Sequence, residues 1–200
     1  MTAPPFVGLT GGIGAGKSEA LAALERLGAA TISTDEVVHD LYRSEAVRRA
    51  VVDRWGEEVA PGGVVDRPAI AQRVFAAPEE RAWLEGLLWP LVGQRVAAWR
   101  AELAERQPPP PAAVVETPLL FEAGLEGGYD ATIAVVAEED VRAARAAARG
   151  HHAVDERSAR QLSQEEKAAR ATYVVANSGT VEELERALAA VLEKLHAEHR

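Results

Sequence analysis

The sequence predicts an α/β fold in which a five-stranded parallel sheet carries helices on both faces. Short apolar, β-branched runs alternate with stretches whose apolar residues recur at helical spacing, as in parallel sheets. Directly after the first run comes G-G-I-G-A-G-K-S, residues 11–18, which fits the phosphate-loop pattern G-x-x-x-x-G-K-[ST]. A strand, a glycine-rich loop and a helix in this order predict a P-loop NTPase.

Five runs are the predicted strands of this sheet. They are Phe6–Leu9, Ala30–Ser33, Ala113–Glu116, Ala131–Val136 and Tyr173–Ala176. Ligands of such sheets collect at the carboxyl ends of the strands. The candidate motifs described below follow these runs, so the sequence places them at one edge of the sheet.

The phosphate loop follows the first predicted strand. Its glycines let backbone N–H groups point inward as an anion nest, and a helix predicted over Glu19–Leu27 adds its positive N-terminal end. In this motif Lys17 reaches the β- and γ-phosphates, and the Ser18 hydroxyl binds Mg²⁺. A glycine-rich turn without a ligand is the alternative, and the flanking strand and helix disfavour it. The predicted ATP-binding residues of the loop are Gly11, Gly12, Gly14, Ala15, Gly16, Lys17, Ser18 and Glu19.

Asp35 follows the second predicted strand. A carboxylate at this place is able to take a proton from an acceptor hydroxyl or to hold Mg²⁺ through water. It is also suited to cap a helix over Glu36–Tyr42, because Asp is a frequent N-cap residue. The catalytic and capping interpretations are compatible, and both stay open.

A long gap separates the second and third predicted strands. Residues 35–106 have helical patterns with turn signals at Pro61-Gly62-Gly63 and Pro78. A crossover of this length exceeds one helix, so we predict a helical subdomain over residues 36–110, inserted at the sheet edge. Pro108–Pro111 then form a stiff polyproline link back to the core, with a partner-recognition segment as the alternative.

Glu116 ends the third predicted strand, in the stretch A-V-V-E-T-P-L-L-F-E. A carboxylate at the end of an apolar strand is the expected group for orienting Mg²⁺ or water in these NTPases. We therefore predict a metal site of Ser18 and Glu116, with Leu119 lining a pocket beside it. Ordinary strand-to-helix turn chemistry is the alternative.

Three arginines follow the fourth predicted strand, and the spacing of Arg142, Arg145 and Arg149 places them on one helical face. Their guanidinium groups repel one another unless an anion lies between them, and phosphoryl transfer uses such a clamp. A solvated basic face is the alternative. After a break at Gly150–Val154 a second helix is predicted over Asp155–Lys167, so residues 140–170 are predicted to form a lid over a nucleotide.

Asn177 follows the fifth predicted strand. Its turn, N-S-G, is able to contact a purine edge, although plain turn chemistry is the simpler interpretation. Thr180 is predicted to cap an amphipathic helix over Val181–Ala197, whose role is packing.

Composition restricts the classes of function. The net charge of −9 argues against a general nucleic-acid binder. Basic residues nevertheless concentrate over residues 142–170, Lys167 among them, and such a cationic segment suits a nucleotide ligand. No apolar run reaches the roughly eighteen residues of a membrane span, and the N-terminus lacks signal-peptide features. The absence of cysteine excludes disulfides and thiolate metal sites and fits the cytoplasm. We expect a cytoplasmic monomer.

Together, the motifs resemble those of the dephospho-coenzyme A kinase family. V-G-L-T-G-G-I-G-A-G-K-S resembles the family's phosphate loop, T-D-E-V-V-H-D-L its D-A-D segment, and E-T-P-L-L-F-E its D-x-P-L-L-x-E segment. R-x-x-x-R-G at 145–150, R-Q-L-S-Q at 160–164 and Y-V-V-A-N-S-G at 173–179 resemble further family motifs. Their order and spacing agree over nearly the whole chain.

The resemblance implies phosphorylation of the ribose 3′-hydroxyl of dephospho-coenzyme A by ATP with Mg²⁺, the last step of coenzyme A synthesis. It implies that Asp35 is the catalytic carboxylate and that the helical insertion binds coenzyme A. The expected catalytic residues are Asp35, Lys17, Arg145 and Arg149. The expected substrate-binding residues are Asp35, His39, Leu119, Glu122 and Trp89, and Asn177 completes the ATP-binding set.

Several positions depart from the family pattern. Ser33 replaces the first Asp of the D-A-D segment, and Glu116 replaces an Asp at the strand end. Trp89 stands where the family usually has His, and Glu19 stands where it has Thr. A Trp side chain cannot ionise, but it is able to stack on a substrate or to pack.

Three rival functions stay open. Another small-molecule kinase of the same fold would differ in the helical insertion, which sets the acceptor. A GTPase-like switch would usually carry an N-K-x-D segment for guanine, and the sequence has none. A nucleotide-binding protein without turnover would consume no ATP when an acceptor is added.

Overall fold

A five-stranded, all-parallel sheet lies at the centre of the computed structural model, which describes residues 3–148 and 161–198. Its strands are β1 (Phe6–Gly11), β2 (Ala30–Ser33), β3 (Ala113–Glu116), β4 (Ala131–Val136) and β5 (Tyr173–Ala176). The strand order is β2-β3-β1-β4-β5. The strand before the phosphate loop, β1, is therefore central. The connection from β1 leads to β2 at one edge of the sheet, whereas the connection from β3 leads to β4 on the other side of β1. Such a switch point is where ligands of open α/β sheets bind.

Eight α-helices lie in the described ranges. They are α1 (Lys17–Arg26), α2 (Thr34–Leu41), α3 (Glu45–Trp55), α4 (Arg67–Ala76), α5 (Pro78–Ala104), α6 (Glu139–Ala148), α7 (Gln164–Arg170) and α8 (Val181–Glu198). None of them combines the length and the apolar character that crossing a membrane requires.

The chain divides into two units. The sheet unit comprises residues 1–33 and 100–200, and the helical unit comprises residues 34–99. In the sheet unit, Val7 and Leu9 of β1 share a buried cluster with Leu24 of α1 and Leu188 of α8. These two helices therefore cover one face of the sheet.

The other face of β1 meets different elements, because side chains alternate along a strand. A Cβ at Gly8 would collide with Leu120, and Thr10 is fully buried beside Lys167 of α7. The segment after β3 and helix α7 therefore pack against this second face. Gly8 is required there by the close approach of Leu120.

The helical unit has a core of its own. That core consists of Val47, Val51, Trp55, Val59, Ile70, Leu84 and Leu88. Helix α3 begins where Ser44 Oγ accepts a hydrogen bond from the Val47 N–H, and α4 begins where Asp66 caps the Ala69 N–H. Such caps satisfy backbone donors that a helix leaves free at its first turn.

The predicted sheet is confirmed. Four strands have the predicted bounds, and β1 continues to Gly11, two residues beyond the prediction. The C-terminal helix also begins as predicted, because Thr180 Oγ1 accepts the Glu183 N–H at 3.2 Å and the Glu183 carboxylate accepts the Thr180 N–H at 2.9 Å.

Two helix predictions were wrong. Asp35 is not an N-cap, because β2 passes directly into α2 at Thr34 and Asp35 lies in the first helical turn. The helix predicted over Asp155–Lys167 does not run through 161–163, and residues 155–160 lie outside the described ranges. Ser163 and Glu166 form a capping box at 3.1 and 2.8 Å, which begins α7 at Gln164 instead.

Candidate active site

The loop between β1 and α1 has the backbone geometry of an anion nest. Gly14 and Gly16 have φ values of 76° and 89°, in the left-handed region that favours glycine. The Ala15 N–H donates to the Gly12 carbonyl at 3.2 Å. Gly16 is the N-cap of α1 and has no side chain to occupy the free N–H groups of the first turn. Those donors and the helix dipole favour a phosphate at this place.

Lys17 and Ser18 open α1 beside the loop. Lys17 Nζ donates to the carbonyl oxygens of Gly11 at 3.0 Å and Gly12 at 3.3 Å, so its charge lies over the loop. The Ser18 side chain is exposed. The sequence therefore brings an ammonium group and a hydroxyl oxygen to the same anion-binding turn.

Glu19, which was expected in the ATP-binding set, turns its carboxylate away from the loop. Arg26, further along α1, donates to Glu19 at 3.2 Å and also pairs with Glu185 of α8. The acidic group is thereby held by a cation on the helix surface.

Arg142 of α6 lies against the phosphate loop. Its Nε donates to the Ile13 carbonyl at 3.1 Å, and its guanidinium pairs with Glu139 at 2.7 Å. A Cβ at Gly12 would lie 3.1 Å from that guanidinium, and one at Gly14 would collide with the Arg142 backbone. The loop glycines therefore permit α6 to approach the loop closely.

Asn177 directly follows β5 and connects the phosphate loop to α6. Its Nδ2 donates to the Ala15 carbonyl at 2.9 Å, and its own carbonyl accepts from Arg145 at 2.8 Å. The side chain is buried, and a Cβ at Gly16 would collide with it. The amide of Asn177 is thus bonded to the loop and fixes its shape.

Ser33 and Glu116 face each other at the carboxyl ends of β2 and β3. The two residues are in register, and Ser33 Oγ donates to Glu116 Oε2 at 2.7 Å. Both are buried. A second carboxylate at position 33 would repel Glu116, whereas the serine hydroxyl donates a hydrogen bond to it.

Glu122 ends the turn that follows β3, and it pairs with a fully buried lysine. Lys167 Nζ lies 2.8 Å from Glu122 Oε1, donates to the Pro118 carbonyl at 2.6 Å and lies 3.4 Å from Thr10 Oγ1. Glu122 Oε1 also accepts the Leu162 N–H at 2.8 Å. The second oxygen of Glu122 is buried and has no partner among the described residues. This ion pair ties the turn to β1 and to the residues before α7.

Two further contacts lie in the elements around this turn. Gln164 Oε1 accepts the Ala137 N–H at 2.7 Å, which joins the start of α7 to the end of β4. Burial raises the pKa of Tyr129, so its phenol stays neutral; its oxygen lies 3.4 Å from Thr117 Oγ1. Leu119 is half-buried within the turn.

Three predicted site residues belong to the helical unit. Asp35 is exposed in the first turn of α2, and His39 lies one turn further along. The two ring nitrogens of His39 lie 2.9 Å from the Arg43 guanidinium and 2.8 Å from that of Arg67. Trp89 of α5 is 53% exposed.

The sequence and the fold match one known family. Residues 5–183 match the family model described as CoaE, dephospho-CoA kinase. The chain belongs to the dephospho-CoA kinase family. The dephospho-CoA kinase of Deinococcus radiodurans is 39% identical over 197 residues, which cover 97% of this chain and 94% of that relative.

Solved structures agree with this placement. The crystal structure of TT1252 from Thermus thermophilus superposes with a TM-score of 0.80 at 36% identity, covering 97% of this chain and 99% of that chain. Shikimate kinase from Aquifex aeolicus has a TM-score of 0.52 at 16% identity over 94% and 96% of the two chains, which shows a shared fold. The P-loop kinase fold is therefore confirmed.

Two residues near the predicted site residues were not placed correctly from sequence. Lys167 was counted among the basic residues that suit a nucleotide ligand, but it is fully buried and pairs with Glu122. Arg67 gives no signal in the sequence, because one arginine after a cap residue is an ordinary helix start. Its approach to His39 depends on how α2 and α4 pack, which no local pattern reveals.

Part of the predicted lid lies outside the described residues. Arg149, expected beside Arg145, is one of these, as are residues 150–160. Within the described part, Arg142 of α6 bonds the phosphate loop and Arg145 bonds the backbone carbonyl of Asn177.

Proposed function

We propose that the chain transfers the γ-phosphate of ATP to the ribose 3′-hydroxyl of dephospho-coenzyme A, giving coenzyme A and ADP. Membership of the dephospho-CoA kinase family supports this reaction, and so does the P-loop kinase fold. The observation that carries the proposal in the geometry is the glycine nest at the start of α1, which α6 and Asn177 close from two sides.

The sheet unit binds ATP in this proposal. The loop N–H groups cradle the phosphates, and Lys17 moves from the loop carbonyls to the β- and γ-phosphate oxygens. Arg145 and Arg149 neutralise the negative charge that develops on the transferred group, which is the main work of catalysis in phosphoryl transfer. Arg142 and Asn177 hold the loop in shape.

Asp35 is the proposed base. It is an exposed carboxylate two residues beyond the carboxyl end of β2, and β2 neighbours β3 in the sheet. In the proposed mechanism Asp35 orients the ribose 3′-hydroxyl and accepts its proton as the oxygen attacks the γ-phosphorus. The bond from that phosphorus to the β,γ-bridging oxygen breaks, and ADP leaves. In-line positioning of donor and acceptor supplies most of the acceleration.

The oxygen donors beside the loop suit Mg²⁺. This ion prefers oxygen ligands and keeps water and substrate oxygens in its shell. The exposed Ser18 hydroxyl and the Glu116 carboxylate provide such donors, and in the described ranges no three His, Cys, Asp or Glu side chains form a closed metal cage. Ser18 would hold Mg²⁺ directly, and Glu116 would hold it through water. The ion would neutralise phosphate charge.

Acceptor-binding roles are proposed for three residues. Leu119 and Trp89 offer apolar surface to the substrate, and His39 offers a polar contact. Glu122 is held by Lys167 and the Leu162 N–H, so we assign it a positioning role for the turn that carries Leu119.

We further propose a monomeric, cytoplasmic enzyme with no nucleic-acid partner. The net charge of −9 disfavours binding to phosphate backbones, and a chain without cysteine needs no oxidising compartment.

An acceptor panel tests the reaction. ADP release with MgATP is measured with dephospho-coenzyme A and with a set of nucleosides, nucleotides and shikimate, and the product is identified by mass. We expect turnover with dephospho-coenzyme A alone. Turnover with another acceptor would keep the kinase and remove the assigned substrate, and ATP binding without turnover would favour a nucleotide-binding protein.

A further inference from the structure

His39 lies between two arginines, and the arrangement leaves hydrogen-bond donors facing each other. Its two ring nitrogens are 2.9 Å from the Arg43 guanidinium and 2.8 Å from the Arg67 guanidinium. A neutral imidazole has one acceptor nitrogen and one N–H, and a guanidinium has donors only. One of the two contacts therefore brings an N–H against an N–H. An acceptor placed among the three side chains would satisfy those donors.

Arg43 and Arg67 differ in how their charge is compensated. Arg43 pairs with Asp40 at 3.0 Å, and both side chains are largely exposed. Arg67 is exposed and makes no ion pair with any residue in the described ranges, and the neighbouring Asp66 accepts the Ala69 N–H as the cap of α4. Asp35 and Glu36 add further negative charge to the first turn of α2, so net charge alone does not select a ligand. The donors that face each other at His39, together with the Arg67 guanidinium, favour a ligand rich in hydrogen-bond acceptors.

The position of the cluster along α2 matches the shape of the acceptor. Asp35 and His39 are four residues apart in α2, a spacing that puts their Cβ atoms about 5–6 Å apart on one face. In dephospho-coenzyme A the ribose separates the 3′-hydroxyl from the 5′-diphosphate by a comparable length. A ribose whose hydroxyl lies at Asp35 therefore directs its diphosphate along the helix towards His39.

We propose that His39, Arg43 and Arg67 form the binding site for the 5′-diphosphate of the acceptor. This inference rests on the proposed function. The planar forks of the two arginines donate to the phosphate oxygens, and His39 donates its ring N–H to the same group. The site selects acceptors that carry a diphosphate on the 5′-carbon, and it fixes the distance from that group to Asp35.

Steady-state kinetics on the full chain test the site. The variants are Arg67→Gln and Arg43→Gln, and the control is Arg49→Gln. Arg49 is a fair match for Arg43, since the two side chains are 69% and 70% exposed and each pairs with one carboxylate. We expect KM for dephospho-coenzyme A to rise about tenfold or more in both variants, as for a lost hydrogen bond to a charged group. KM for ATP and kcat should stay unchanged, and the control should match wild type.

A second ligand separates the diphosphate from the nucleoside. Adenosine has the same ribose 3′-hydroxyl and no phosphate, so its inhibition constant against dephospho-coenzyme A, at saturating ATP, should be equal in wild type and variants. A parallel rise for adenosine would overturn the diphosphate assignment. If Arg67→Gln fails to fold, Arg43→Gln carries the test, because that side chain is largely exposed.

The outcomes distinguish the two proposals. Wild-type protein that does not phosphorylate dephospho-coenzyme A removes the proposed function. Wild-type turnover with an unchanged KM in both variants removes the diphosphate site and leaves the function in place. A rise in KM for ATP as well would show a general structural effect and would also overturn the site.

Discussion

Replacing Lys167 by Met removes one partner of a buried ion pair. Lys167 is fully buried, and its ammonium group lies 2.8 Å from Glu122 and 2.6 Å from the Pro118 carbonyl. The Glu122 side chain is only 12% exposed, and one of its oxygens already lacks a partner among the described residues. Lys167→Met therefore leaves a carboxylate in a buried place with little to stabilise its charge.

The expected cost is large. Breaking a buried ion pair by removing one partner destabilises proteins by about 3–5 kcal/mol, because the remaining charge stays desolvated. A domain of 150–250 residues loses about 2–4 °C of melting temperature per kcal/mol. For this chain of 200 residues the two figures give a drop of roughly 6–20 °C in Tm.

Calorimetry and urea unfolding measure the effect. Lys194→Met, at an exposed position of α8, is the matched control and should change Tm little. The double variant Lys167→Met with Glu122→Met removes both charges and should recover much of the loss, as replacing a whole buried pair by apolar side chains often does. A single variant within about 1 kcal/mol of wild type would refute the reasoning, since that is the ordinary effect of a mutation.

Four further predictions concern catalysis and the helical unit. Asp35→Asn should lose at least about 10²-fold in kcat with KM for ATP kept, because the hydroxyl loses its base; a near-wild-type kcat would remove that role. Lys17→Ala should lower kcat/KM for ATP severely, and an unchanged value would contradict the phosphate-loop assignment. Trp89→His should leave Tm unchanged, because the indole is 53% exposed, and a large drop would show core packing. The hydrogen bonds from Arg54 lower the pKa of Glu80, so the stability that wild type has over Glu80→Gln should be present above about pH 4.3 and disappear as the pH falls through the lowered value. A Tm difference that is the same at pH 7 and pH 3 would contradict this linkage.

The strands of the sheet were predictable because each is a short apolar run buried in a parallel sheet. The runs Ala113–Glu116 and Ala131–Val136 are almost wholly buried, so their composition alone separates them from the neighbouring helices. β1 was predicted two residues short, because Thr10 and Gly11 are not typical strand residues. Their extension depends on pairing with β4, which local composition does not show.

The phosphate loop was also predictable, because its backbone conformation requires glycines at fixed positions of the motif. What the sequence could not show is which side chains close around it. Asn177 was interpreted as a turn residue or a purine contact, and its bond to the Ala15 carbonyl spans 162 positions of the chain. Arg142 was predicted to face an anion, and nothing in the sequence indicated its bond to the Ile13 carbonyl.

The departures at Ser33 and Glu116 have a joint physical explanation. From sequence they were separate changes from the family pattern, one removing a charge and one lengthening a side chain. In the structure the serine donates to that glutamate at 2.7 Å across neighbouring strands. Only the strand register brings the two positions together.

The transfer of labelled phosphate tests the central proposal most directly. The protein is incubated with ATP labelled in the γ-phosphate and with dephospho-coenzyme A, and the product is fragmented by mass spectrometry. We predict one labelled phosphate on the ribose 3′-oxygen for each ADP formed. Label elsewhere in the product, or ADP formed at the same rate without the acceptor, would contradict the proposed reaction.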